Sequence, residues 1–327
     1  MVNIAIIDTG VEQSHPMLFG AYFSGIFITK DSKGKIVVGQ DYTDDAGHGT
    51  AVTSIIYKHN KDVNFFVVRL FCKKQYVADE EMLLYALNYV YEKVPCDLLN
   101  LSLGYTNCLD KNNLYNICQK IRDKGTFIVS AFDNYCSLSF PASFDNVIGV
   151  ACSEKVLKTD QYEYVENSEI NIMAKGDIQR VAWIDKNYIT TEGSSFACAH
   201  VTGIISLILR ENIKISEKEL DRILRKNAVY TYQQTKERKK VVPPVLKEKR
   251  GVIFPFNKEM HAVIRYVDLL EFDLVDVYDI KYTLHLGVST NALLKINGPR
   301  DYKIRNIEQL DYDSFDVFIL VLRPDSF

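Results

Sequence analysis

Three side chains have the types that acyl chemistry uses, and each stands where an apolar run meets a turn. Asp8 follows Ile4-Ala5-Ile6-Ile7 and precedes Thr9-Gly10. His48 lies between Gly47 and Gly49, ahead of a helix-length segment, Thr50-Ala51-Val52-Thr53-Ser54-Ile55-Ile56. Ser195 follows Gly193-Ser194 and opens Phe196-Ala197-Cys198-Ala199-His200-Val201-Thr202-Gly203, which runs on into Ile204-Ile205-Ser206-Leu207-Ile208. A helix apolar on nearly every side is buried. A serine at its start is either an N-cap or a nucleophile, because unpaired N–H groups and the positive dipole end gather there. A histidine is the general base that such a nucleophile needs, and a carboxylate can orient the histidine. The run before Asp8 reads as a buried parallel strand, with Asp8 at the carboxyl end where open α/β sheets place their chemistry.

Asp, then His, then Ser along the chain is the subtilisin order of the triad. The segments Asp8-Thr9-Gly10, Gly47-His48-Gly49-Thr50-Ala51-Val52 and Gly193 to Gly203 jointly resemble the subtilisin-like serine protease (subtilase) family. Its motifs read D-T/S-G, G-H-G-T-x-V and G-T-S-x-A-x-P-H-V-x-G, and the resemblance covers roughly residues 2–228. It implies Asp8, His48 and Ser195 as catalytic residues. Ser194 replaces the usual threonine, Ala199 the usual proline, and Ala51 a frequent histidine. Asn134, in Phe132-Asp133-Asn134, is implied as the oxyanion donor, in a segment that is usually A-G-N. Aspartate there resists backbone geometry that glycine tolerates, and it brings a carboxylate towards a site for negative charge. Ser102-Leu103-Gly104 is implied to pair with the substrate backbone by strand addition. Ser139 is implied to lie near the floor of the S1 pocket. It follows Asn134 by five positions, fewer than in secreted relatives, so the specificity pocket is built differently.

The fold implied is α/β: a subtilisin-like, doubly wound, mostly parallel sheet with helices on both faces. The activity implied is that of an intracellular serine endopeptidase of narrow specificity, such as one removing the leader from a modified peptide. The competing reading is a catalytically impaired, peptide-binding pseudoprotease with Asp133 spoiling the oxyanion site. A peptide or protein is the expected partner, and no cofactor or metal is expected in the chemistry. His200 is expected to be a hydrogen-bonded core histidine.

The composition suits a soluble globular chain: of 327 residues, 47% are hydrophobic and 25% charged. A net charge of −3 gives no electrostatic reason to expect nucleic acid, and no run reaches the length of a membrane span. Seven cysteines without regular spacing, with no signal-peptide pattern or propeptide ahead of the first strand, lead us to expect reduced thiols in a cytoplasm. Asp41, Asp44 and Asp45 read as a solvated acidic loop, with calcium ligation as the alternative.

Periodicity predicts strands over 2–8, 63–71, 98–103 and 127–131, and helices over 50–58, 80–92 and 112–123. A hairpin is expected at 26–29 and 35–38 around Asp31-Ser32-Lys33-Gly34. Short antiparallel strands are expected at 156–157, 162–164, 170–173 and 180–183. Ser216 with Glu219 forms a capping box for a helix through Asn227. The peptidase domain is thus read over 1–228, a basic linker over 229–250, and a small Rossmann-like α/β domain over 251–327. The last has strands at 252–256, 274–278 and 315–321 and helices at 258–270 and 307–310. Its first turn, Phe256-Asn257-Lys258-Glu259, lacks the glycines of a dinucleotide site, so no nucleotide is expected at Asp279.

Overall fold

A computed structural model describes residues 1–71, 80–106, 108–134, 138–212 and 214–233, and strands at 250–254, 274–279, 293–294, 302–306 and 317–320. It divides into two units, Met1–Lys236 and Glu237–Phe327.

The first unit runs β1 (Val2–Asp8), β2 (Tyr22–Lys30), β3 (Ile36–Gly39), α1 (His48–His59), β4 (Val63–Arg69), α2 (Glu80–Lys93), β5 (Leu98–Leu101), α3 (Lys111–Asp123), β6 (Phe127–Ala131) and β7 (Ile148–Ser153). It continues with β8 (Tyr162–Glu166), β9 (Ile172–Lys175), β10 (Gln179–Ala182), β11 (Tyr188–Thr191), α4 (Ser194–Glu211), α5 (Glu217–Asn227) and β12 (Tyr230–Gln233). Ten strands form one sheet in the order β12-β8-β9-β7-β6-β5-β1-β4-β2-β3. Only the β2/β3 and β8/β9 pairs are antiparallel. This is the α/β sheet that the sequence implied.

Alternation along the central strands builds a core on each face. Ile4 and Ile6 of β1, with Phe65 and Val67 of β4, pack with α1 and α4 on one side. Ala5 and Ile7, with Val68, Leu99 and Ile128, pack with α2 and α3 on the other. Burying each Ile, Leu, Val or Phe among these contributes about 1.5–3 kcal/mol. With both faces covered, the parallel strands read as continuous apolar runs.

The structure departs from the sequence reading at several elements. β5 ends at Leu101, its last rung against Ser130, and residues 102–104 continue beyond the sheet. Residues 156–157 are not a strand: Ser153 Oγ accepts from the Lys155 and Val156 amides and turns the chain there. β10 and β11 form a separate two-stranded hairpin. The segment expected as linker from residue 229 begins with β12, which pairs in parallel with β8. Tyr232 pins it, donating from its hydroxyl to the buried Glu163 at 2.9 Å. Four residues are too short for periodicity to single out, and the partner strand lies far back in the chain.

In the second unit, β13 (Arg250–Phe254) lies between β14 (Leu274–Asp279) and β17 (Val317–Leu320), parallel to both. β16 (Tyr302–Asn306) is parallel to β14, and β15 (Leu293–Leu294) is antiparallel at its edge. The strand order therefore reverses between β13 and β17, as at the switch point of an open α/β sheet. The helices expected at 258–270 and 307–310 lie outside the described residues.

Candidate active site

Asp8 ends β1, and its neighbours in sequence hold the start of α1. The first amides of a helix lack intrahelical partners. Here Thr9 Oγ1 accepts from the Gly49 N–H at 2.8 Å, and Asp44 Oδ2 accepts from the Thr50 N–H at 2.9 Å. Asp44 also takes the Ala46 and Gly47 amides on Oδ1 and the Thr50 hydroxyl on Oδ2. It is buried, and it holds the turn that leads into α1, so it is not part of a solvated acidic loop. Asp45 instead pairs with Arg69 at 2.8 Å. The glycines permit close approach: a Cβ on Gly49 would lie 2.2 Å from the Gly10 carbonyl oxygen. At Gly47 φ is +100°, and a Cβ would lie 2.2 Å from the Trp183 ring. The Asp-Thr-Gly and Gly-His-Gly-Thr segments thus interlock, and His48 emerges at the first position of α1.

Across that junction His48 Nδ1 lies 2.7 Å from Asp8 Oδ1, which also accepts from the Thr9 N–H at 2.7 Å. Asp8 is 2% exposed, and its Oδ2 is buried without a hydrogen-bond partner among the described residues. With Nδ1 carrying the proton given to the carboxylate, Nε2 is the basic nitrogen. Burial alone pulls the imidazole pKa down, but the Asp8 charge and hydrogen bond, backed by Asp44, outweigh it. The pKa stands above its ordinary 6.5. The His48 side chain keeps 26% of its surface open to solvent.

Ser195 is the second residue of α4, and Phe196 beside it packs its ring 5.6 Å from the His48 ring, centroid to centroid. Ser195 Oγ donates to the Ser102 carbonyl at 3.2 Å. Among the described residues no hydrogen bond joins it to His48; such contacts are often long until substrate is bound. Ser102 is buried, Leu103 half-buried and Gly104 exposed, so the segment beyond β5 lies beside the hydroxyl. Tyr105 and Phe140 then close a two-way backbone bridge at 2.9 Å in each direction.

Asn134 is exposed, and its Oδ1 accepts from the Ser194 N–H at 2.9 Å and the Ser194 hydroxyl at 3.1 Å. The acceptor end of the amide is thereby occupied, which keeps the NH2 end for other partners. Ser194 is buried, and its one hydroxyl proton is shared between Asn134 Oδ1 and the Phe132 carbonyl. The Asp133 N–H donates to Ser139 Oγ at 3.2 Å, and Ser139 is 1% exposed. Asp133 is not among the non-glycine residues with positive φ, which are Asn167, Asp185 and Lys186. The backbone at this position is therefore one that aspartate adopts without strain.

His200 is buried in α4, as expected: Nδ1 lies 2.9 Å from His59 Nε2, and Nε2 lies 2.9 Å from Gln179 Oε1. Burial pushes Cys198 up to about 12, Cys118 to about 12 and Cys96 to about 11, so these are packing thiols. Cys72 and Cys136 lie outside the described residues. Among the described residues, no group of three or more His, Cys, Asp or Glu could hold a metal ion, and no helix is long and apolar enough to cross a membrane.

The sequence reading missed Thr9 and Asp44 as holders of α1. An aspartate six positions before a threonine, across Gly-His-Gly, is the signal that marks them. It also passed over Asn100, buried in β5 and bonded to the start of α4.

Comparisons with known proteins bear on the family and the fold. Residues 1–251 match the model of the Subtilase family. The major intracellular serine protease of Bacillus subtilis (strain 168) is 26% identical over 223 residues, 63% of this chain and 68% of that protein. The minor extracellular protease Epr of the same organism is 23% identical over 240 residues, 70% of this chain and 35% of Epr. Among solved structures, a cold adapted subtilisin-like serine proteinase superposes with a TM-score of 0.56 at 24% identity, covering 69% of this chain and 81% of that one. A lanthipeptide protease superposes with a TM-score of 0.54 at 20% identity, covering 70% of this chain and 80% of that one. These two likenesses concern the fold. The match across 1–251 carries the family: the chain belongs to the subtilases, the subtilisin-like serine proteases, a class of hydrolases.

Proposed function

We propose that this chain is an intracellular serine endopeptidase that cleaves peptide bonds with Asp8, His48 and Ser195. The observation that carries the reading is the 2.7 Å bond from His48 Nδ1 to Asp8, which leaves Nε2 as the base of a ring packed beside Phe196 of α4. His48 takes the Ser195 proton as the hydroxyl oxygen bonds to the substrate carbonyl carbon, and it later protonates the leaving amine. Asp8 orients the imidazole and stabilises its cation. The NH2 of Asn134 and the N–H of Ser195 bind the oxyanion; Ser194 supports this by holding the carbonyl end of the Asn134 amide. Water, deprotonated by His48, then releases the acyl group.

The substrate is an extended peptide lying along residues 102–104, beyond the last rung of β5. The intracellular setting is supported by the name of the intracellular serine protease of Bacillus subtilis, and a narrow processing role by the fold shared with a lanthipeptide protease. The second unit is read as Rossmann-like from its β-α-β order along the sequence, and the order of its described strands supports that reading.

The test is labelling with a fluorophosphonate probe, followed by mass spectrometry of cleaved peptide libraries. Labelling that disappears in Ser195→Ala, with cleavage confined to one short motif, is the expected result. A chain that resists the probe is a peptide binder instead. One that digests unrelated unfolded proteins is a general protease.

A further inference from the structure

A fully buried amide in the middle of a parallel sheet needs a reason, because burying it unpaired is unfavourable. Asn100 of β5 is 0% exposed. Its Oδ1 accepts from the Thr202 hydroxyl at 2.8 Å and from the Cys198 thiol at 3.4 Å. Its Nδ2 donates to Ser102 Oγ at 3.0 Å. Ser102 Oγ in turn donates to the carbonyl of Ser195 at 3.2 Å, and Ser195 Oγ donates back to the carbonyl of Ser102.

Two features make this more than core satisfaction. Ser195, Cys198 and Thr202 stand at i, i+3 and i+7, one stripe of α4, so a single amide grips two members and reaches the third through Ser102. The chain of bonds is also continuous from strand to helix. Ser102 gives its one proton to the Ser195 carbonyl and accepts from the Asn100 NH2, and the amide oxygen faces Thr202 and Cys198; the Thr202 hydroxyl also lies 2.9 Å from the Cys198 carbonyl.

We infer that Asn100 is a positioning residue: through Ser102 it sets the register between the nucleophile at the head of α4 and the peptide-binding segment that leaves β5. It touches no reacting atom. The inference rests on the reading of Ser195 as nucleophile and goes beyond it, since a cap or a core amide needs no link to the substrate strand.

A double-mutant cycle tests it with Asn100→Ala, Ser102→Ala and the pair. The readouts are the fluorophosphonate labelling rate, kcat and KM on a cleaved peptide, and amide exchange in the first turn of α4. Asn100→Ala should slow labelling and kcat together by about tenfold, the scale of one lost hydrogen bond, with KM changed less. Each single variant breaks the same chain, so the pair should be little slower than the slower single. A roughly hundredfold loss in the pair, or unchanged labelling beside a lowered melting temperature, overturns the proposal. If Asn100→Ala does not fold, Thr202→Val takes its place, and an unchanged labelling rate there overturns it equally. Should the native chain resist the probe, the protease reading fails by itself. The positioning claim then stands or falls on faster exchange at residues 196–199 in the variants.

Discussion

Helices α1 and α4 meet along a seam that holds two histidine pairings, and the two behave in opposite ways. At the open end His48 is bonded to a carboxylate and partly exposed, and its pKa is raised. Inside the seam His59 and His200 are bonded to each other. Burial, and after it the charge of Lys58, pushes His59 down to about 4; burial, and after it the His59 imidazole and Lys58, pushes His200 down to about 3. Asp160 opposes this at His59 only, and Lys175 adds to it at His200. The same side chain is thus a base in one place and neutral packing in the other. What separates them is a counter-charge within hydrogen-bond reach together with a path to water.

The largest test of that difference removes the counter-charge. Asp8→Asn should lower kcat by about 10⁴-fold and return the imidazole pKa towards or below its ordinary value; steady-state kinetics across pH reads both. Asn134→Ala should lower kcat by about 10²–10³-fold with the His48 titration unmoved, separating oxyanion binding from proton transfer.

Inside the seam, His200→Ala leaves His59 and Gln179 without their partner and should cost about 1–3 kcal/mol in denaturant unfolding, while the Ser195 labelling of the folded fraction survives. The pH dependences then run in opposite senses. A base works only when neutral, so kcat/KM should rise through a midpoint above 6.5, set by His48. Its raised pKa adds stability that is complete below 6.5 and lost as pH climbs through the folded value. The lowered pKa values of His59 and His200 add stability that is complete above 6.5 and lost as pH falls towards 4 and 3. Unfolding midpoints should therefore drop between pH 6.5 and 4, and His59→Gln should flatten that drop. Smallest of all, Glu81→Gln breaks an exposed pair with Lys30 and should change stability by less than about 1 kcal/mol, with neither pH limb displaced.

Much of the frame was legible because it is written locally. The run from Ile4 to Ile7 has the pattern of a strand covered on both faces, and β1 runs Val2–Asp8. The hairpin at β2 and β3 follows its turn residues, with Asp31 Oδ1 holding the Lys33 and Lys35 amides. Ser216 Oγ accepts from the Glu219 amide at 3.3 Å, which is half of the expected capping box. The parts that were not legible depend on partners distant in the chain. Asp44 looked like one of three solvated acids until the turn before α1 folded around it. Tyr230-Thr231-Tyr232-Gln233 looked like the start of a linker until β8 offered an edge.

By itself the sequence determined the residue types, their order and the elements that carry them. Periodicity of two or 3.6, cap chemistry and the motif spacing are properties of neighbouring residues, and they need no knowledge of the rest of the chain. Only the tertiary structure decided which groups meet. Asp8 meets His48 across 40 positions, Asn100 meets Thr202 across 102, and His59 meets His200 across 141. Each meeting depends on how strands and helices pack, and packing answers to the whole core, which no local stretch contains.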